Sequence, residues 1–344
     1  MKHIIDRFLI TSMFAFFVGD VSANTHVWKA HKWMSEIHDS IAISTLSIPG
    51  AHDAATGEGL CVNIGLGKTQ CLSIAQQWDC GVRFFDLRPA LCDTVLHIYH
   101  GTLRTQISFA EAIDIILSKL AANPSDFAIV LIRHESESED DEEKSNWSRF
   151  VGAYIQSLGN KAVSLHPRLT LGEVRGKILF LTRNPYNDCG KGGLISGWTH
   201  SAEGTTGAKI ISYASSEFSF LQIHDYYAPT NNDKRLQKKQ GVFRMLEKAQ
   251  TAEEDVWTMN FLSGYASTWM GTGLFATTSG YKRNAAWLHP LVMEYITNCS
   301  SSNGYGIVFM DFVGIDKVPG SFFHWTSFNI QGKKLLDAII QTNF

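Results

Sequence analysis

Near the N-terminal end of the chain, two histidines follow short apolar runs, and each stands beside residues able to act on a phosphate. The first cluster is Ser47-Ile48-Pro49-Gly50-Ala51-His52-Asp53, the second Gly81-Val82-Arg83-Phe84-Phe85-Asp86-Leu87-Arg88, and the third Leu96-His97-Ile98-Tyr99-His100-Gly101. Side chains alternate along a strand, so Asp86 and Arg88 face the same side. A lone histidine after a strand is more often a hydrogen-bonding part of the fold than a catalyst. His52 and His100 together, with an Asp/Arg pair between them, form a set that can cleave a phosphodiester without a metal. One imidazole removes a proton from an attacking hydroxyl, and the other protonates the departing oxygen. The fork of an arginine matches two phosphoryl oxygens and holds the charge that builds on them.

Such a set needs a frame that brings distant segments to one place. Eight short β-branched and aromatic runs supply candidate strands: Thr45–Ile48, Val82–Leu87, Val95–Tyr99, Ala128–Ile132, Ile178–Leu181, Phe218–Ile223, Trp257–Phe261 and Gly306–Met310. Their near-continuous apolar character suits parallel strands with helices on one side and a filled interior on the other. Eight strands close a barrel, so the expectation is an α/β chain folded as a single-domain (β/α)8 TIM-type barrel. The three clusters then lie at the C-terminal ends of its first three strands, where such barrels build active sites. Ser108-Phe109-Ala110-Glu111 is a capping box, followed at helical spacing by Ile113, Ile116, Leu117 and Leu120 until Asn123-Pro124 stops the run. Thr170-Leu171-Gly172-Glu173 repeats the signal.

Composition narrows the class. With 44% hydrophobic and 18% charged residues in 344, the chain buries a sizeable core, and a formal net charge of −3 offers no basic face for nucleic acid. Lys2 and Arg7, the apolar stretch Phe8–Gly19 and the small residues Val21-Ser22-Ala23 read as a signal peptide over residues 1–23, leaving 24–344 as the exported catalytic barrel. The expected location is therefore outside the cell, and six cysteines in an exported chain are expected to pair as disulfides. The acidic run Glu135–Glu143, seven carboxylates in nine positions, reads as a solvated loop. Lys234, Arg235, Lys238 and Lys239 read as a basic patch that could meet anionic headgroups, a solvated helix face being the commoner explanation. Trp269 and Met270 in a glycine-flexed loop, with Trp198 ending another, are candidates for a membrane interface, and a loop folded back on the barrel with its tryptophan buried is the equal alternative.

In order along the chain, SIPGAHDAATGEG, GVRFFDLR, LHIYHGTL, NPSDFAIVLIRHE, GEVRGKILFLTR and GIVFMDFVG resemble the phosphatidylinositol-specific phospholipase C family in its bacterial secreted form. The resemblance runs from about Trp33 to Val313 and implies a distorted α/β barrel. It also implies cleavage of phosphatidylinositol to diacylglycerol and inositol 1,2-cyclic phosphate, followed by slow hydrolysis of the cyclic product. Carried over, His52 matches the general base and His100 the general acid. Asp311 matches the carboxylate that orients the base, Asp53 the one that orients the acid, and Arg88 the phosphate-holding cation, with Asp86 in the same network. Asp225 and Tyr227 resemble the Asp-x-Tyr that binds and stacks on inositol, and Arg183 its inositol-binding arginine. Where the family offers a lysine after the fourth strand, this chain has Arg133 and His134, and either can fill the place.

Calcium-dependent relatives carry a carboxylate where Arg88 stands, so the resemblance implies no metal ion and no cofactor. The implied partner is a phosphatidylinositol-containing membrane, met transiently by a monomer. Two other readings compete. A metal-dependent glycerophosphodiester phosphodiesterase also uses a barrel and two histidines, and a non-catalytic inositide-binding module would keep the fold without the chemistry.

Overall fold

Strand β1 (Ile48–Ala51) opens the barrel with four residues that are all buried. A Cβ on Gly50 would lie 3.2 Å from the Phe309 ring and 3.3 Å from Phe84, closer than ordinary contact, so the aromatic filling of the barrel packs tightly against this glycine. The computed structural model describes residues 28–61, 67–265, 279–299, 303–320 and 327–344. The expected signal segment, Trp269 and Met270 lie outside these residues.

After helix α1 (Ile74–Cys80) comes β2 (Phe84–Leu87), which pairs with β1 in parallel. A hairpin sheet follows, made of β3 (Pro89–Cys92), β4 (Val95–His100) and β5 (Leu103–Ser108). The chain re-enters the barrel through α2 (Phe109–Ala122) and β6 (Ala128–Ile132), then α3 (Asp141–Ser157), α4 (Leu171–Val174) and β7 (Ile178–Thr182). Strands β8 (Gly193–Ser196), β9 (Ser201–Ser212) and β10 (Phe218–Asp225) continue the wall, and α5 (Asn232–Gln250) leads to β11 (Val256–Phe261). Helix α6 (Ser279–Asn298) precedes β12 (Ile307–Met310), whose parallel pairing with β1 closes the ring, and α7 (Gly332–Gln341) ends the chain. Among the described residues no helix is long and apolar enough to cross a membrane.

The barrel therefore closes with nine strands rather than eight. Seven of the expected runs are in its wall, though β1 begins only at Ile48, the last residue of the first expected run. The run Val95–Tyr99 instead joins the separate antiparallel sheet of β3, β4 and β5. Two unanticipated strands, β8 and β9, complete the ring. Strand β9 runs antiparallel to both neighbours, and its polar sequence with Gly204 and Gly207 at positive φ reads locally as a loop. Glycines inside a strand mark bulges, and the β9–β10 pairing shifts register twice.

Both capping boxes form as expected: Ser108 with Glu111 at α2, and Thr170 with Glu173 at α4. The acidic run is not a solvated loop. Asp140 and Glu143 make another capping box, which starts α3, while Glu135 and Glu139 are buried. Carboxylates favour a helix N-terminus, which is what this charge density supplies. The expected disulfides are not formed, and all six cysteines are free thiols. An even count carries no distances, and the fold disperses these residues. Cys80 ends α1, Cys92 ends β3, Cys189 follows β7, Cys299 follows α6, and the Cys61 thiol donates to the Thr105 carbonyl.

At the N-terminal end of the strands, Arg83 and Asp126 make a fully buried ion pair, with Nε and Nη2 at 2.8 and 2.6 Å from Oδ2. The same guanidinium stacks 3.8 Å above the Trp78 ring and donates to the carbonyls of Trp78 and Val82. Two motifs singled out in the sequence thus hold a structural clamp as well as site residues.

Candidate active site

The strand ends converge on a cavity of about 320 Å³ lined by His52, Asp86, Arg88, His100, Arg133, Glu135, Arg183, Asp225 and Tyr227, among others. His52 follows β1, Asp311 follows β12, and closure of the ring sets them side by side. His52 Nδ1 is 2.8 Å from Asp311 Oδ1. Gln70 staples that junction: its amide donates to the carbonyls of His52 and Met310 at 2.8 and 2.9 Å and accepts from the Val313 amide. Nothing in the local sequence marks Gln70 for this task. The His52 ring meets the edge of Phe261, which stacks on Phe309 at 4.0 Å, so the barrel filling also fixes the imidazole.

Asp86 and Arg88 do face the same side. Arg88 Nη2 lies 3.1 Å from Asp86 Oδ2 and 2.9 Å from His52 Nε2, while Nε is 2.6 Å from Asp53 Oδ1. With Nδ1–H donated to Asp311, the lone pair on His52 Nε2 accepts from Arg88 and points toward the cavity. Asp53 sits in a left-handed conformation at φ 45°, which aspartate tolerates better than most residues. Its Oδ2 is 3.3 Å from His52 Nε2 and 3.5 Å from His100 Nε2. Asp53 is thus shared between the two imidazoles, not reserved for one. His100 comes from the hairpin sheet, and its Nδ1 donates to the Gly67 carbonyl at 2.6 Å.

Electrostatics follow from this packing. Burial alone would push the His52 pKa down, but Asp53 and Asp311 outweigh it and hold it above the ordinary 6.5. Burial likewise works against Asp53, yet Arg88, His100 and His52 bring its carboxyl down to about 2. Arg88 remains charged, since Asp53, Asp86 and Glu135 outweigh its burial. His52, Asp53 and Asp86 are the one group among the described residues whose donor atoms, all within 4.8 Å, could gather round a metal. Each of the three already contacts the Arg88 guanidinium, and a fixed cation there opposes a second one.

Packing at and around the cavity bears on three of the expectations. Arg133 lines it, whereas His134 turns away, stacking on Trp147 at 4.2 Å and bonding to Glu139. Leu131, Arg133 and Glu135 all face the cavity, and His134 between the last two points away from it. Trp198 is tied to the cavity wall. It lies in the tight connection from β8 to β9, with Nε1 donating to Asp225 Oδ2 at 3.0 Å and Arg183 4.0 Å over its ring. Lys238 is not part of a basic surface. It is fully buried, and its Nζ donates to the carbonyls of Tyr226 and Phe261, tying the ends of β10 and β11 together. That burial brings its pKa down to about 8.

Glu135 and His200 were not foreseen. Glu135 accepts from the Gly101 amide at 2.8 Å and lies 3.4 Å from Arg133 Nε, and burial lifts its pKa above 4.5 despite Arg88 and Arg133. Its place after β6 was the available signal, hidden by the carboxylates that follow. His200 Nδ1 is 3.2 Å from Asp225 Oδ2, brought there by the antiparallel turn into β9.

The mouth of this closed α/β barrel gathers two histidines, a buried arginine and paired carboxylates, groups able to act on a phosphate ester. The family profile described as "Phosphatidylinositol-specific phospholipase C, X domain" matches residues 55–184. The 1-phosphatidylinositol phosphodiesterase of Listeria monocytogenes is 31% identical over 158 residues, 44% of this chain and only about half (49%) of that protein. Its counterpart from Staphylococcus aureus strain Newman is 28% identical over 82% of this chain and 88% of its own length. Among solved structures, a Staphylococcus aureus phosphatidylinositol-specific phospholipase C from work on its membrane binding superposes with a TM-score of 0.68 at 24% identity, covering 90% of this chain and 97% of that one. The Listeria monocytogenes enzyme gives 0.64 at 23%, covering 92% and 99%. The chain thus matches the X-domain profile over residues 55–184 and shares its barrel fold with the bacterial phosphatidylinositol-specific phospholipases C.

Proposed function

We propose that this protein cleaves phosphatidylinositol to diacylglycerol and inositol 1,2-cyclic phosphate without a metal ion, as a secreted enzyme that meets membranes transiently. Glycosylated phosphatidylinositol is a second substrate of the same chemistry. The curated relatives support the substrate class, and the site supports the mechanism. His52 removes the proton of the inositol 2-hydroxyl, with Asp311 stabilising the imidazolium that forms. The hydroxyl oxygen attacks phosphorus, the bond to the diacylglycerol oxygen breaks, and His100 supplies the proton that oxygen needs. Arg88 holds the phosphoryl oxygens throughout. Arg133, Glu135, Arg183, Asp225 and Tyr227 line the space left for the polyol.

The observation that carries this reading is the position of Arg88 between His52, Asp53 and Asp86, where a calcium-dependent or glycerophosphodiester-type site would hold its ion. Phosphorus NMR of the product in excess chelator tests reaction type and metal independence together, and an acyclic first product overturns the proposal. Roles are assigned by leaving group. His52→Ala and His100→Ala each lower turnover on phosphatidylinositol on the order of 10²- to 10⁴-fold. A nitrophenyl ester, whose leaving group needs little protonation, partly rescues His100→Ala and leaves His52→Ala impaired. Rescue of His52→Ala instead exchanges the two roles.

A further inference from the structure

Helix α6 places a tyrosine hydroxyl between the acid and the headgroup side of the cavity. Tyr281 is 5% exposed, and its hydroxyl lies 3.3 Å from His100 Nε2 and 2.9 Å from the Tyr227 hydroxyl. Its ring packs edge-on against Tyr265 at 5.1 Å, a contact that depends on the preceding residue having no side chain. A Cβ on Gly280 would fall 2.3 Å from the Tyr265 ring. The His100 and Tyr281 rings are 5.9 Å apart and tilted, so the hydroxyl, not a stacked face, meets the imidazole.

We propose that Tyr281 is a positioning residue for the general acid, coupling His100 to Tyr227 through its hydroxyl. This rests on the assignment of His100 as the acid. His100 Nδ1 is fixed on the Gly67 carbonyl, so only Nε2 can serve the leaving oxygen. A hydroxyl beside Nε2 satisfies that nitrogen in both states of the cycle, accepting when the ring is charged and donating once the proton has left. Asp53, 3.5 Å from the same nitrogen, is a carboxylate and accepts only. Tyr227 is 41% exposed and lines the cavity, so a polyol ring seated on it fixes the Tyr227 hydroxyl, then that of Tyr281, then the His100 ring. Burial and the neighbouring Tyr227 hold the Tyr281 hydroxyl pKa well above 10, which keeps its proton at neutral pH.

Tyr281→Phe removes the hydroxyl and keeps the ring against Tyr265. Turnover is compared on phosphatidylinositol vesicles and on a nitrophenyl inositol phosphate for the parent, His100→Ala and Tyr281→Phe, with thermal midpoints as a folding control. The expected result is a fall in kcat of roughly tenfold on phosphatidylinositol with KM nearly unchanged, and a much smaller fall on the nitrophenyl ester. Tyr227→Phe is expected to give the same imbalance plus a higher KM, since it also loses a polyol contact. Equal losses on both substrates, or no loss, overturn the inference while the acid assignment stands. If His100→Ala shows no dependence on leaving group, both fall together.

Discussion

Arg88 Nη2 donates to His52 Nε2 across 2.9 Å, so the cation that would hold the phosphate also caps the nitrogen that would take the hydroxyl proton. A substrate entering this site must displace that contact, placing its phosphoryl oxygens on the guanidinium and its hydroxyl on the imidazole. Activity is therefore expected to be unchanged by excess EDTA. Arg88→Asp lowers the rate on the order of 10³-fold. It also turns Asp53 and Asp86 into members of an acidic cluster able to bind calcium. Partial recovery of Arg88→Asp with added calcium, measured as initial rate, is the expected outcome, and loss of parent activity in chelator refutes the reading.

The ion pair of His52 with Asp311 sets a pH dependence. A general base acts when neutral, so kcat/KM rises with pH as His52 deprotonates, at a midpoint above the ordinary histidine value of 6.5. Asp311→Asn removes one of the two carboxylates that hold this pKa up, so the rising limb moves to lower pH. The maximal rate falls on the order of 10²-fold, because the ring loses its orienting partner. The stability sign is opposite in direction: a raised folded pKa gives stability present below about 6.5 and lost as pH climbs through the folded value. A pH–rate profile of the variant with an unmoved limb places the controlling group elsewhere.

Trp198 packs under Arg183 and bonds to Asp225, so its loss is expected to disturb the cavity wall more than lipid adsorption. Trp198→Ala is expected to raise KM roughly tenfold for soluble inositol cyclic phosphate, the loss of a partly desolvated cation–π contact and a hydrogen bond. Vesicle binding stays near that of the parent. Weakened vesicle binding with soluble hydrolysis intact returns Trp198 to the membrane interface.

What the sequence by itself determined is local. Apolar runs marked seven strands of the wall, capping boxes marked the starts of α2 and α4, and strand alternation put Asp86 and Arg88 on one side, because each depends on neighbours within a few residues. The ordered motifs carried the family resemblance and most of the residues that gather at the candidate site. Tertiary structure decided what depends on ring closure and on turns between strands. His52 and Asp311 are 259 positions apart and meet only because β12 pairs with β1. Strand β9 forms from a polar, glycine-containing segment because its neighbours supply the ladder, and the turn before it carries Trp198 and His200 inward. Glu135 and Lys238 share their charge type with exposed neighbours, so composition could not separate them. Burial by the barrel did, turning one into a cavity carboxylate and the other into a tie between strand ends.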